Sequence, residues 1–357
     1  MAEGNLVQVS IVTACRNEID HIGSLLESIL SQDIPGGAWE AMVADGMSTD
    51  GTREILQQYS TRYPCLRVID NPGLIVSTGL NAAIRQARGD IIIRMDGHTR
   101  YAPDYCKNSV EALFNNAADN VGGPARTVAN GVLAGAVAAA FHSRFSTGGA
   151  KFHAVDYEGW VDTVPYGCWR KAVLERIGLF DETLVRNQDD ELNLRLVRAG
   201  GRIWQSPSIV SWYRPRSDLS KLFHQYFQYG FWKVAVIRKH KLPASWRHII
   251  PVVWVSVNLL LLLVMTMATV LRSPGWLRDA AVLWLVVVGL YLSVSMSVAV
   301  CTARHHGWAL LPYLPVVFAI YHLSYGLGFA AGLVRLMNHP GGGFSPPSTS
   351  NFAKLSR

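Results

Sequence analysis

Charge is scarce in this chain: only 17% of its 357 residues are Asp, Glu, Lys or Arg, while 50% are hydrophobic. That ratio excludes an extended disordered chain, which needs high net charge and few apolar residues. Cysteine is scarcer still. The five present (Cys15, Cys65, Cys106, Cys168 and Cys301) form no CxxC pair and are odd in number. This argues against a disulfide framework or a cysteine zinc site, and predicts reduced, buried thiols. No secretory leader is legible either, since MAEGNLVQVSIVTAC has no basic n-region and its apolar stretch is short and rich in β-branched residues. No internal repeat is present.

What the chain has in excess is apolar sequence, concentrated towards its end. Residues 249–271 and 280–303 carry no charge, and 308–334 carry only His322. At 1.5 Å per residue each run can cross about 30 Å of hydrocarbon. Pro312, Pro315 and His322 leave a re-entrant course open for the last of them. The formal charge is uneven: residues 1–213 sum to −5, 214–248 to +7 and 249–357 to +5. Basic residues crowd ahead of the first apolar run, which predicts a cytoplasmic N-terminal part and attraction to anionic headgroups or a pyrophosphate lipid. An acidic domain followed by a basic stretch abutting a span argues against nucleic acid as a partner.

The first half alternates between short apolar runs and helical periodicity. Val7–Thr13, Trp39–Ala44, Leu66–Asp70 and Ile91–Met95 read as strands. Between them, Ile22, Leu25, Leu26, Ile29 and Leu30 recur at helical spacing, and Thr49–Tyr59 and Gly79–Gln86 read as further helices. Such alternation predicts an open, mostly parallel α/β sheet whose ligands sit beyond the carboxyl ends of the strands. Attention therefore falls on Cys15 to Glu18, Asp45, and Asp96 to His98. Asp45 can accept from a nucleobase imide or a ribose hydroxyl, while Asp50 reads as a helix cap. Asp96 follows an apolar strand directly, and His98 two residues on points to the same side if the chain stays extended. Gln188-Asp189-Asp190-Glu191 opens a helix with three adjacent carboxylates. The helix N-terminus accommodates one or two of them, and a third is available as a general base. Trp160, Trp169 and Trp204 read as core packing before sugar stacking.

Four segments taken together (VSIVTACRNE, VADGMSTDGT, IIIRMDGHT and GLFDETLVRNQDDELNLRL) resemble, in order and spacing, the inverting family 2 glycosyltransferases with the GT-A fold, over about residues 5–235. The pattern is most similar to the succinoglycan-biosynthesis type, with Asp-x-His for the usual Asp-x-Asp. The resemblance implies a nucleotide site at Thr13, Glu18, Asp45 and Asp96, a Mg²⁺ or Mn²⁺ site at Asp96 and His98, and Asp189 as base. It also implies an acceptor contact at Gln225, Gln228 and Tyr229, where Gln228 and Tyr229 depart from the family's Arg and Trp; an amphipathic helix lying on the membrane accounts for that segment equally. Gly46 replaces a second aspartate often found after Asp45.

The expected layout is a Rossmann-like GT-A catalytic domain over 1–213, interfacial basic helices over 214–248, about three spans over 249–334, and a disordered tail over 335–357. The implied partners are a UDP-sugar, UDP-glucose first, a polyprenyl-diphosphate-linked saccharide, membrane lipids and other polysaccharide-assembly proteins. The implied place is the bacterial cytoplasmic membrane with a cytosolic catalytic domain. A polyprenyl-phosphate sugar synthase and a non-catalytic nucleotide-sugar-binding scaffold remain open as alternatives.

Overall fold

The computed structural model describes residues 8–241 and 248–338. Among these, residues up to Thr127 and Lys151–Arg214 form one compact unit; Val128–Ala150 and the described residues from Pro215 onward form a second. Residues 128–150, which lie inside the 1–213 span expected as the catalytic domain, thus group with the second unit. That segment's small-residue helix is buried mainly on alanines (Ala134, Ala136, Ala138, Ala139, Ala140), and it clusters with the apolar helices of the second unit.

The strands of the first unit are β1 (Val9–Cys15), β2 (Trp39–Asp45), β3 (Leu66–Asp70), β4 (Ile91–Arg94), β5 (Thr99–Tyr101), β6 (Asn120–Gly122), β7 (Arg126–Thr127), β8 (Gly159–Val161), β9 (Cys168–Arg170), β10 (Ile203–Gln205) and β11 (Ser211–Tyr213). Eight form one sheet in the order β3-β2-β1-β4-β9-β6-β10-β8, and β5-β11-β7 form a small second sheet. The β3-β2-β1-β4 half is wholly parallel, and β9 reverses direction beside β4. Val9, Ile11 and Val12 are fully buried, as a parallel strand covered on both faces requires. The helices α1 (Ile19–Leu30), α2 (Thr52–Arg62), α3 (Val76–Gln86) and α4 (Tyr105–Asn115) follow β1, β2, β3 and β5. On α1, Ile22, Leu25, Leu26 and Ile29 are the buried face, at the spacing that makes a helix stripe. The strand order turns at β1: the chain winds outward through β2 and β3, then returns to place β4 on the other side of β1. That switch point opens a crevice at the carboxyl edge.

In the second unit, α5 (Val132–His142) and α6 (Arg144–Thr147) come from the inserted segment. In the first unit, α7 (Lys171–Ile177) and α8 (Gln188–Arg198) precede the last strands. The second unit then continues with α9 (Leu219–His240), α10 (Ile250–Val270), α11 (Pro274–His306) and α12 (Leu314–Asn338). Helices α10, α11 and α12 are each long and apolar enough, by length and composition, to cross a membrane. The last is one continuous helix, half of whose apolar window is buried inside the protein. Its His322 is satisfied at both ring nitrogens, by the Tyr291 hydroxyl at 2.9 Å and the Phe145 carbonyl at 2.8 Å. Because α12 extends to Asn338, the start of the expected tail is helical, and its remainder, 339–357, lies outside the described residues, as do 242–247.

Helix α9 differs from the one-sided interfacial helix expected of it. From Gly230 to Val236 every residue is buried. The cause is backbone-to-backbone packing on α12. A Cβ at Gly230 would lie 2.0 Å from the Tyr325 carbonyl oxygen, one at Gly328 2.0 Å from that of Phe227, and one at Gly332 2.7 Å from that of Phe231. Gly328-Phe329-Ala330-Ala331-Gly332 is the small-xxx-small pattern that lets helices approach in lipid. Gly328→Leu is therefore expected to separate α9 from α12 and to remove detergent-solubilised full-length protein from the monodisperse peak in size-exclusion chromatography. A leucine at exposed Gly289, where a Cβ meets nothing within 4 Å, should leave that peak unchanged.

Candidate active site

A cleft lies at the switch point of the first unit. One wall is the end of β1 and the turn after it (Ala14, Cys15, Arg16, Glu18), another the β3–α3 connection (Asn71, Leu74, Ile75, Val76), and the third Asp96, Gly97 and His98 after β4. Glu18, Asp96 and His98 thus line one cavity, whereas Asp45 and Asp189 are not among its lining residues. Thr13 does not reach its wall. It is 1% exposed within β1, and its hydroxyl has no hydrogen-bond partner among the described residues.

Asp45 ends β2 directly beside Cys15 in the ladder and is fully buried. Its Oδ1 accepts from the Ser48 hydroxyl at 2.5 Å, and its Oδ2 accepts from Arg53 Nη1 at 3.0 Å. Arg53 also pairs with Asp70 at the end of β3. The Ser48 backbone N–H also reaches both oxygens, at 3.3 Å each, so each carboxylate oxygen carries two contacts. The N-cap position of α2 falls on Gly51, not on Asp50, but Asp50 just before it still serves the helix start: its Oδ1 takes the Thr52 backbone N–H at 3.0 Å and the Thr52 hydroxyl at 2.6 Å, and its Oδ2 takes the Ile19 N–H at 3.2 Å. One carboxylate thus serves the starts of α1 and α2.

The i, i+2 relation expected for Asp96 and His98 is realised one step earlier. The chain turns after Asp96, with the Thr99 N–H donating to the Asp96 carbonyl at 3.3 Å, and His98 is exposed in that turn, edge-on to the Tyr213 ring at 5.8 Å. The residues that share a side are Arg94 and Asp96. Arg94 is 3% exposed; its Nε donates to Asp96 Oδ1 and its Nη2 to Asp96 Oδ2, each at 2.7 Å. Its remaining nitrogen, Nη1, donates to Asp189 Oδ1. Asp96 and Asp189, far apart in sequence, meet through one guanidinium. Burial works against the charge on Arg94, but Asp189 and Asp96 outweigh it and hold the guanidinium more firmly protonated than usual. For Asp189 the balance falls the other way. Burial pushes its carboxyl above the usual range, Arg94 pulls it down, and Asp96 adds to the upward push.

The three acids of 189–191 separate by role. Glu191 is fully buried and bonds Arg195 through both oxygens, at 3.1 and 2.8 Å. Arg195 in turn donates to the carbonyls of Ile177, Gly178 and Leu179, tying the end of α7 to α8. Asp189, in the first turn of α8, is the one turned to Arg94. The loop before it is pinned to α3. Asn81 donates to the Phe180 carbonyl at 2.8 Å and accepts from the Phe180 N–H at 2.9 Å, while the Ser77 hydroxyl donates to the Leu184 carbonyl at 2.9 Å. Asn81→Leu leaves two buried backbone groups unpaired. It should cost roughly 2–5 kcal/mol in chemical denaturation and lower kcat more than it raises the donor KM. An unchanged kcat would dissociate this loop from the placement of Asp189.

Arg94 was not singled out from the sequence, although it had a signal, a lone charge closing the apolar strand IIIR, since a buried cation must be paired. Arg16 falls in the Cys15 to Glu18 stretch flagged from the sequence, with no role assigned to it. It lines the cleft, its Nε lacks a partner among the described residues, and its side chain fills the space over Gly46, where a Cβ would lie 3.0 Å from the Arg16 Cβ. An aspartate at 46 would have to displace it. Of the three tryptophans, Trp169 is core as expected, Trp204 is half-buried and Trp160 is exposed; the last two meet edge-to-face at 4.9 Å. In the second unit, Gln225 donates to the Tyr229 hydroxyl at 3.0 Å and Gln228 is buried. The cysteines are all free thiols; Cys15, Cys106 and Cys168 are buried, Cys65 partly so, and Cys301 is exposed on α11.

Among the described residues no three His, Cys, Asp or Glu side chains group to hold a metal ion. Mg²⁺ and Mn²⁺ do not need such a cage, because they commonly bind through one or two carboxylates and the phosphates of the substrate. Asp96, with His98 on the same cavity wall, fits that description.

Residues 10–176 match the family model described as glycosyl transferase family 2. The succinoglycan biosynthesis protein ExoA of Rhizobium meliloti (strain 1021) is 32% identical over 89% of this chain and 93% of its own length. A Methanococcus voltae protein, dolichyl N-acetyl-alpha-D-glucosaminyl phosphate 3-beta-D-2,3-diacetamido-2,3-dideoxy-beta-D-glucuronosyltransferase, is 28% identical over 67% of this chain and 76% of its own. Among solved structures, the mannosyltransferase PcManGT of Pyrobaculum calidifontis, in complex with GDP-Man and Mn²⁺, superposes with a TM-score of 0.54 at 18% identity, over 89% of this chain and 86% of that one, which speaks to the fold. Similarity of that extent, falling on the sheet whose edge carries Asp96 and Arg94, makes this chain a member of glycosyl transferase family 2 and a glycosyltransferase.

Proposed function

We propose that this glycosyltransferase is inverting and metal-dependent, and that it moves a hexose, glucose in the first instance, from a UDP-sugar to a polyprenyl-diphosphate-linked saccharide. Its setting would be exopolysaccharide or related glycan assembly, with other assembly proteins nearby, at the cytosolic face of a bacterial inner membrane. The observation that supports this reading best is the meeting of Asp96 and Asp189 on Arg94, beside a cleft at the switch point of the sheet. The relative named for succinoglycan biosynthesis and the three apolar helices favour a lipid-borne acceptor.

In this reading the nucleotide lies against the β1 and β3 edges, with Glu18 and Asp45 towards the uridine and Thr13 beneath it. Arg16 is the cation nearest a bound diphosphate. Asp96, with His98, would hold Mg²⁺ or Mn²⁺, which supplies charge stabilisation to the departing diphosphate. Asp189 takes the proton from the acceptor hydroxyl. The freed oxygen then forms a bond to the anomeric carbon from the face opposite UDP, the bond from that carbon to the diphosphate breaks, and its electron pair leaves with UDP. A single displacement inverts the configuration. Gln225, Gln228 and Tyr229 are proposed to stand near the acceptor.

The test is UDP release from UDP-glucose by full-length protein with Mn²⁺ and lipid extracts. Release that requires extract whose lipid already bears a sugar supports the reading. Equal release with bare polyprenyl phosphate would replace it with a polyprenyl-phosphate sugar synthase, and no release above a blank would leave a binding scaffold.

A further inference from the structure

We propose that Arg94 is a resident counter-cation that withholds Asp96 from a divalent cation until the donor's diphosphate is present, while keeping Asp189 in place. The inference rests on the preceding reading of Asp96 as the cation ligand and Asp189 as the base. Three observations carry it. First, Arg94 engages both oxygens of Asp96 at 2.7 Å through its Nε/Nη2 fork, so a metal cannot chelate the carboxylate through both oxygens without displacing it. Second, its third contact is Asp189, so a cation that draws one Asp96 oxygen away leaves Arg94 still anchored on the base. Third, the guanidinium is 3% exposed, lies over the Phe180 ring at 5.8 Å, and stays protonated at any working pH.

The charge count gives the consequence. Two carboxylates and one guanidinium leave a net charge of −1, and a metal ion alone must approach a fixed positive group at contact distance. A diphosphate adds negative charge that offsets the repulsion from the guanidinium and supplies further oxygen ligands, so metal and nucleotide are expected to bind together. Replacing Arg94 with a neutral side chain of similar length leaves two adjacent carboxylates with no cation, a better site for a bare metal ion. A merely structural arginine would give the opposite result, since its loss would only weaken binding.

The experiment is direct Mn²⁺ binding to the full chain in detergent, read by electron paramagnetic resonance of free Mn²⁺, with and without UDP. The wild type should bind Mn²⁺ about tenfold or more tightly with UDP than without it, and Arg94→Met should gain about tenfold or more for Mn²⁺ alone and lose most of the UDP dependence. Arg94→Lys, which keeps charge but not the fork, should stay near the wild type for Mn²⁺ alone while losing kcat. Should Arg94→Met not fold, the Arg94→Met/Asp189→Asn double variant frees both Asp96 oxygens but leaves one carboxylate, so it should show a smaller gain in the same direction. Binding of Mn²⁺ alone that is unchanged or weaker in whichever variant folds overturns the proposal. Asp96→Asn separates the underlying reading: if it abolishes UDP-dependent Mn²⁺ binding while the Arg94 variants show no gain, the cation site stands and the role of Arg94 falls.

Discussion

Asp189→Asn is expected to lower kcat by about 10²–10⁴, the range that positioned proton transfer contributes, while UDP binding stays within about threefold of wild type. The substitution is isosteric and keeps an oxygen for Arg94, so the geometry of the triad survives and only basicity is removed. Two controls give the result its meaning. Asp190→Asn should leave kcat within about threefold, since its neighbour supplies the base. Glu191→Gln should weaken the fold, because Glu191 holds Arg195 against three carbonyls at the end of α7. The pH profile adds a sign. Burial raises the Asp189 carboxyl above its ordinary value, and Asp96 pushes it further, against the pull of Arg94. A base must be deprotonated to act, so wild-type kcat/KM should fall as pH drops through a midpoint above the usual carboxylate value of about 4. In Asp189→Asn that acid limb should vanish from the residual rate. Its persistence, or undiminished turnover, would take Asp189 out of the base role.

The parallel half of the sheet, β1 to β4, was legible from sequence because its cause is local. Val9–Cys15 is apolar except for Ser10 and Thr13, Ile91, Ile92 and Ile93 run apolar up to Arg94, and α1 shows its stripe at Ile22, Leu25, Leu26 and Ile29; burial on both faces of a parallel strand writes itself into composition. The strand-end acids were legible for the same reason, because a carboxylate at the end of an apolar run stands out. What stayed hidden depends on contacts distant in sequence. Nothing near Asp189 tells which of three adjacent acids meets Arg94; Glu191, the fully buried one, is instead claimed by Arg195, and Asn81 pins the loop at Phe180. The turn after Asp96 breaks the extended geometry that would have set His98 beside it, and passes that relation to Arg94. The joining of 128–150 to the second unit was hidden too, since an alanine-rich helix reads alike against a sheet or against apolar helices. The close approach of α9 and α12 had a signal in Gly328 and Gly332 that the overall hydropathy of the run concealed.

Asp96→Asn should produce a loss of comparable size by a different route, and the comparison tests the division of labour between the two acids. Removing the charge that would hold the metal forfeits stabilisation of the leaving diphosphate worth several kcal/mol, so kcat/KM should fall about 10²–10³. Here, unlike at Asp189, the donor KM should rise and the response to added Mn²⁺ should flatten, because ground-state binding of the diphosphate also depends on the cation. Asp45→Asn makes the third point of the comparison. Its carboxylate is fully buried and already committed to Ser48 and Arg53, so the loss should appear mainly as destabilisation of about 1–3 kcal/mol in denaturation and as weaker donor binding, with the Mn²⁺ response intact. Steady-state kinetics over a Mn²⁺ series for the three variants separates these patterns. If Asp96→Asn and Asp189→Asn gave the same profile, with kcat alone reduced and the Mn²⁺ response preserved in both, Asp96 would be a partner that positions the base, and the cation would have to be held elsewhere.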